Sequence, residues 1–136
     1  MTTRRTQRGQ ALAETGIVIV LLVTMAMGII EFGRAWLIAN MITHAARDGA
    51  RMAAVPASNR DGSGMITDTS AIVNQVLSDI GTVVPTSGFT VSVAQTMIGG
   101  IPMVQLTVTG TVNYVFNLVG TSFTVNRTVT FRDEGR

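Results

Sequence analysis

Cysteine is absent from the 136 residues, so neither a disulfide nor a thiolate-bound metal can hold this chain together. Histidine is nearly absent. His44 stands alone, and with no second histidine or cysteine to join it a metal centre is not expected; it reads as an exposed helix residue. One Trp and one Tyr offer little for base stacking. Charge is scarce as well, at 13% of residues against 46% hydrophobic. The formal balance of +2 is unevenly placed, because Arg4, Arg5 and Arg8 precede Gly9. Beyond that glycine seven arginines face eight acids, a side-chain balance of −1, so the body of the chain has no clustered basic face for nucleic acid. Catalytic patterns are also missing. No nucleophile-elbow motif surrounds any serine. The stretch Gly62-Ser63-Gly64 lacks the longer glycine framework and preceding strand of a nucleotide loop. Neither an enzyme nor a cofactor is expected.

What the chain does have is an apolar run near its start. Residues 1–9 are polar and basic, without an apolar pattern, and read as an unstructured leader held in the cytosol by its arginines. Residues 10–30 are apolar except for Glu14, Thr15 and Thr24. A membrane-spanning helix needs ~20 apolar residues, whereas a secretory core segment has ~7–15; the run lies between, so length leaves both readings open. The helix should continue through residues 31–55. Glu31 and Arg34 sit three apart and can pair on one face. Trp36 suits the outer interface of a membrane. Two stripes of small residues follow, Ala45, Gly49 and Ala53 beside Ala46, Ala50 and Ala54, which let another element approach the backbone closely. Asp48 and Arg51, again three apart, read as a solvated helix pair, and Pro56 supplies the stop. One helix from about Gln10 to Ala54 is therefore predicted.

Residues 56–136 read as an exterior α/β domain. After a loop over 56–64, Asp68 or Thr69 can cap a short helix at 69–80 with Ile72, Val73, Val76, Leu77 and Ile80 on one face. From Phe89 the apolar period becomes two, giving strands at about 88–97, 103–116 and 122–132, with Gly99-Gly100 as the first turn. Each strand has one apolar face and one rich in Thr, so the sheet should be an antiparallel meander covered on one side by the Ala-rich helix end. The expected fold class is α+β: a long N-terminal transmembrane helix continuing outside the membrane, a short second helix and a three-stranded antiparallel sheet.

The basic leader, Gly9, an acid at the fifth position after it and the apolar helix together resemble a prepilin processing site. The strings GQALAE, GIIEFGRAW and HAARDGARMAA, over roughly residues 8 to 54, resemble the TadE-like family of tight-adherence (Tad/Flp) pilus systems, pseudopilins of the type IV filament superfamily. That resemblance implies cleavage between Gly9 and Gln10, with Glu14 as the assembly acid that neutralises the new N-terminus. It also implies a membrane-edge motif of Glu31, Phe32, Gly33 and Arg34, and a second motif of Asp48, Gly49, Ala50 and Arg51. Thr15-Gly16 departs from the bulkier apolar residues expected after the acid. The implied partners are a prepilin peptidase, other pilins or pseudopilins, the pilus assembly platform and membrane lipid. The implied place is the bacterial inner membrane, single-pass, with the N-terminus cytoplasmic and the C-terminal domain periplasmic or extracellular. Two other readings stand beside it. One is a signal-anchored protein with an exterior ligand- or partner-binding domain and no pilus role. The other is a secreted domain cut near Thr24–Gly28.

Overall fold

The computed structural model describes residues 3–55, 60–118 and 120–135. The chain forms two compact units, one reaching Ala35 and one beginning at Trp36. The first helix, α1, spans Thr3–Ala54. It therefore begins upstream of the expected Gln10, and the leader from Thr3 on is helical rather than unstructured. The physical reason lies in its composition: Arg and Gln are good helix formers, and no proline interrupts them. The predicted stop at Pro56 lies outside the described residues, although the helix does end at Ala54.

In the first unit, α1 exposes its apolar side chains. Leu12, Ile17 and Ile29 are each at least 70% exposed, and only 6% of the most apolar 18-residue window is buried. The helix is long and apolar enough to cross a membrane. Thr15 and Thr24 fit such a setting, because their hydroxyls donate to the Ala11 and Val20 carbonyls at 2.8 Å each. The polar group is then satisfied within the helix, as lipid requires. The Thr15-Gly16 departure thus leaves no unpaired donor.

In the second unit, the end of α1 packs with α2 (Ser70–Gly81) and a meander of β1 (Phe89–Ile98), β2 (Ile101–Asn113) and β3 (Ser122–Arg132). The α+β architecture is as expected. The second helix buries Ile72, Val76 and Ile80, one face at helical spacing. Its first turn is capped by Asp68, whose carboxylate accepts the Ser70 N–H at 2.7 Å, while Thr69 makes no side-chain cap bond. The β1–β2 hairpin closes through Gly99 and Gly100, both at positive φ, the backbone a two-residue turn demands.

The sheet turns Val104, Leu106, Val108, Val112 and Val125 inward against Ile38, Ile42 and both alanine stripes of α1. Strand β2 stops at Asn113, short of the expected 116. Tyr114 still donates its N–H to the Thr121 carbonyl at 3.0 Å, and its ring packs on Phe123 with centroids 5.3 Å apart. The chain then leaves the ladder, with Asn117 in the left-handed region at φ 51°. The register makes a direct prediction. Val125→Asp, which forces a charge into the core, should unfold the second unit, whereas Thr107→Asp, on the opposite face, should leave it folded. Circular dichroism of both variants reads the difference, and equal tolerance would refute the register.

Gly49 marks where α1 comes closest to its neighbours. A Cβ built there would run into Val76 and stand 2.9 Å from Leu106 Cδ1. Glycine normally weakens a helix by ~1 kcal/mol relative to alanine, so Gly49→Ala would stabilise an isolated helix. Here the close packing reverses that sign. Gly49→Val should destabilise the unit by about 1–3 kcal/mol through overpacking, measured as a lowered urea midpoint. A neutral or stabilised variant would show that α1 does not pack this closely.

Candidate functional site

The predicted processing residues lie on one turn of α1. Gln10 and Glu14 share a helix face, and the Gln10 side-chain amide donates to the Glu14 carboxylate at 3.1 Å. Both are exposed, and a Cβ placed at Gly9 would meet nothing within 4 Å. Packing within this chain therefore does not explain a glycine at position 9.

Further along the same unit, Arg34 and Glu31 form an ion pair at 3.3 Å. It differs from a solvated surface pair, which contributes little. Glu31 is only 5% exposed, while Arg34 is half-buried. A buried carboxylate needs a compensating charge, and Arg34 supplies it. Phe32 and Gly33 point the other way and are exposed, Phe32 at 72%. The motif thus combines a buried acid with an exposed aromatic.

In the second unit the motif Asp48-Gly49-Ala50-Arg51 divides in a similar way. Gly49 and Ala50 are buried and set the helix packing, whereas Asp48 and Arg51 face solvent. The expected helix pair between them is not formed: among the described residues neither makes an ion pair. Each is held apart on the surface, where pairing gains little over hydration. Together with Met52 and Val55 they line a shallow open depression. Arg51 also lies in the last turn of α1, where a cation complements the helix dipole. His44 is exposed on the same helix.

These positions, from the glycine before Gln10 to the arginine that closes the second motif, all lie on one helix in an unbroken order. Residues 9–51 match the TadE-like protein family. The matched segment begins at Gly9 and ends at Arg51, so it contains the predicted cleavage pair, Glu14 and both predicted motifs. No curated protein and no solved structure matches the chain. The β domain after the TadE-like segment is thus described by its own geometry.

That geometry contains a polar cluster around Arg60, a residue of the expected 56–64 loop. Arg60 pairs with Asp133 at 2.8 Å, the two side chains being 7% and 0% exposed. The same guanidinium donates to the Ala53 carbonyl at 2.6 Å and the Gly64 carbonyl at 2.7 Å. It therefore caps the end of α1, where carbonyls lack helical partners. Gln95 of β1 donates to Asp133 at 2.6 Å and accepts the Ile66 N–H at 2.7 Å. The backbone N–H of Glu134 closes the cluster on the Ala54 carbonyl at 2.9 Å. Burial by itself would raise the Asp133 carboxyl. Hydrogen bonds from Arg60, Gln95 and the Gly135 N–H, with the charge of Arg60, outweigh it and hold the group below its ordinary range. One clamp thus joins the helix end, the 60–66 segment, β1 and the chain's C-terminal residues. Among the described residues, no three acids or histidines gather as metal ligands would.

Proposed function

We propose that the chain is a pseudopilin of a Tad-type pilus: a membrane-anchored subunit, cut after Gly9 by a prepilin peptidase, that packs through its first helix with partner pilins during assembly. The observation that carries this reading is the TadE-like match, which starts at Gly9 itself. Three features of the molecule support it. The basic residues and the proposed cleavage point lie at the start of the stretch of α1 that is apolar enough to span lipid. Gly9 has open space around it, as a peptidase substrate needs. Glu14 reaches back one turn to Gln10, the residue that would carry the new ammonium. A cation beside lipid is costly unless paired, and a carboxylate one turn along can neutralise it in its own chain or in a neighbour. The chain is then the peptidase's substrate and a packing component, with the second unit outside the inner membrane as the docking domain.

The test is the mature N-terminus, read by terminal-peptide mass spectrometry on the membrane fraction of the native host. A start at Gln10 is expected. A start at Met1 or Thr2 would instead indicate a plain signal anchor, and one near Met27 or Ile29 a secreted domain.

A further inference from the structure

Strand β3 ends the sheet, and among the described residues no strand pairs with its outer edge. Hydrogen bonds at both ends of the β2–β3 ladder establish which groups face outward. Tyr114 N–H donates to Thr121, and Asp133 N–H donates to Pro102. With the strand register between them, odd-numbered residues of β3 bond to β2, and the even-numbered ones point their N–H and C=O away. Thr124, Asn126, Thr128 and Thr130 therefore present an open row of backbone groups. Among the described residues the only partner on that row is Arg127, whose Nη1 donates to the Asn126 carbonyl at 3.1 Å. The opposite edge differs, because the 60–66 segment lies beside β1 and bonds Gln95 through the Ile66 N–H.

Arg127 also breaks the apolar alternation of β3. It stands opposite Val108 on the helix-facing side, between buried Val125 and half-buried Val129. Its guanidinium is exposed and, among the described residues, reaches only the Thr43 hydroxyl, at 3.3 Å, besides the Asn126 carbonyl. Among the described residues no carboxylate compensates it. A charge placed so on an edge strand opposes pairing with a second copy of that strand. Two β3 strands centred on Arg127 would set guanidinium against guanidinium, and like charges directly opposite are unfavourable.

We propose that the β3 edge is a strand-addition site for an extended segment of another protein that carries an acidic residue opposite Arg127. The backbone row supplies the hydrogen bonds, and Arg127 selects the partner by charge. The acid would lie on the helix-facing side, flanked by apolar residues across from Val125 and Val129, with hydroxyl or amide residues continuing the Thr face. This inference does not depend on cleavage after Gly9 or on Glu14.

The experiment uses the full chain in detergent micelles and two synthetic extended peptides of alternating Thr and Val, one with Asp at its centre and one with Arg. The Asp peptide should bind roughly three- to ten-fold more tightly than the Arg peptide. Binding should also slow hydrogen exchange at the Thr124, Asn126, Thr128 and Thr130 amides. Arg127→Glu should invert the preference. Thr128→Pro, which removes an outward N–H and spares the β2 ladder, should weaken both peptides. Three results would overturn the proposal: no binding of either peptide, equal binding that Arg127→Glu leaves unchanged, or self-association of the unliganded chain through β3. The last is read by disulfide trapping of Thr128→Cys, which introduces the chain's sole thiol.

Discussion

Replacing Asp133 by Asn should cost the second unit about 3–5 kcal/mol, the range for removing one member of a buried ion pair. The carboxylate accepts from three donors: Arg60 at 2.8 Å, Gln95 at 2.6 Å and the Gly135 N–H at 3.1 Å. An asparagine amide has one oxygen, so either orientation turns an NH2 group toward a donor and leaves the Arg60 charge buried without its counterion. Arg60→Met should be comparably damaging, since it also removes the guanidinium donors to the Ala53 and Gly64 carbonyls and leaves Gly64 only the Gln95 amide at 3.1 Å. The double replacement Arg60→Met with Asp133→Leu should cost less than the sum, because it leaves no uncompensated charge. Urea unfolding of the full chain in micelles, followed by the Trp36 and Tyr114 signals, measures all three. Additive losses would mean that the two residues are not a unit.

The same cluster sets a pH dependence. Because the folded-state pKa of Asp133 is below its unfolded value of about 3.9, its contribution is fully present above that value. It is lost as pH falls from there through the folded value. Asp133→Asn should therefore flatten part of the acid limb of the stability curve below about pH 4. Asp68 titrates in the same direction, lowered by its bonds to the Ser70 backbone and hydroxyl, so a residual slope should survive the substitution.

Gly9→Leu should give the largest functional effect: loss of processing, with the chain retained in the membrane at full length. Leucine is a better helix former than glycine by roughly 1 kcal/mol, and the site has open space for it. The substitution should therefore strengthen α1 while blocking the peptidase. Loss of cleavage together with an undiminished urea midpoint would separate recognition from folding. Mass spectrometry of the N-terminus and a count of pili on the same cells provide the readouts. Wild-type processing of Gly9→Leu would refute the cleavage assignment, whatever its effect on piliation.

Gly9 and Gly49 show how differently two glycines in one helix are decided. Both belong to the TadE-like segment, and periodicity treats them alike, as weak points in a helical pattern. Only packing distinguishes Gly9, which touches nothing, from Gly49, where a side chain would strike Val76 and Leu106. Glu31 and Arg34 were legible as an i, i+3 pair, but spacing carries no information on burial. Arg127 could be seen as a gap in a period of two; that it guards an open edge required the strand order.

The sequence by itself determined the long apolar helix, the short amphipathic one, the three alternating strands and the Gly99-Gly100 turn. Each depends on residues a few positions apart, within reach of a helical turn or a pleat. It also carried the TadE-like motifs, which are contiguous strings. Tertiary structure alone decided the Arg60–Gln95–Asp133 clamp, because its members come from a loop, a strand and the C-terminal end. No periodic pattern links such distant positions. Only folding the chain reveals that one arginine from a polar loop holds the helix end and the Asp133 carboxylate together.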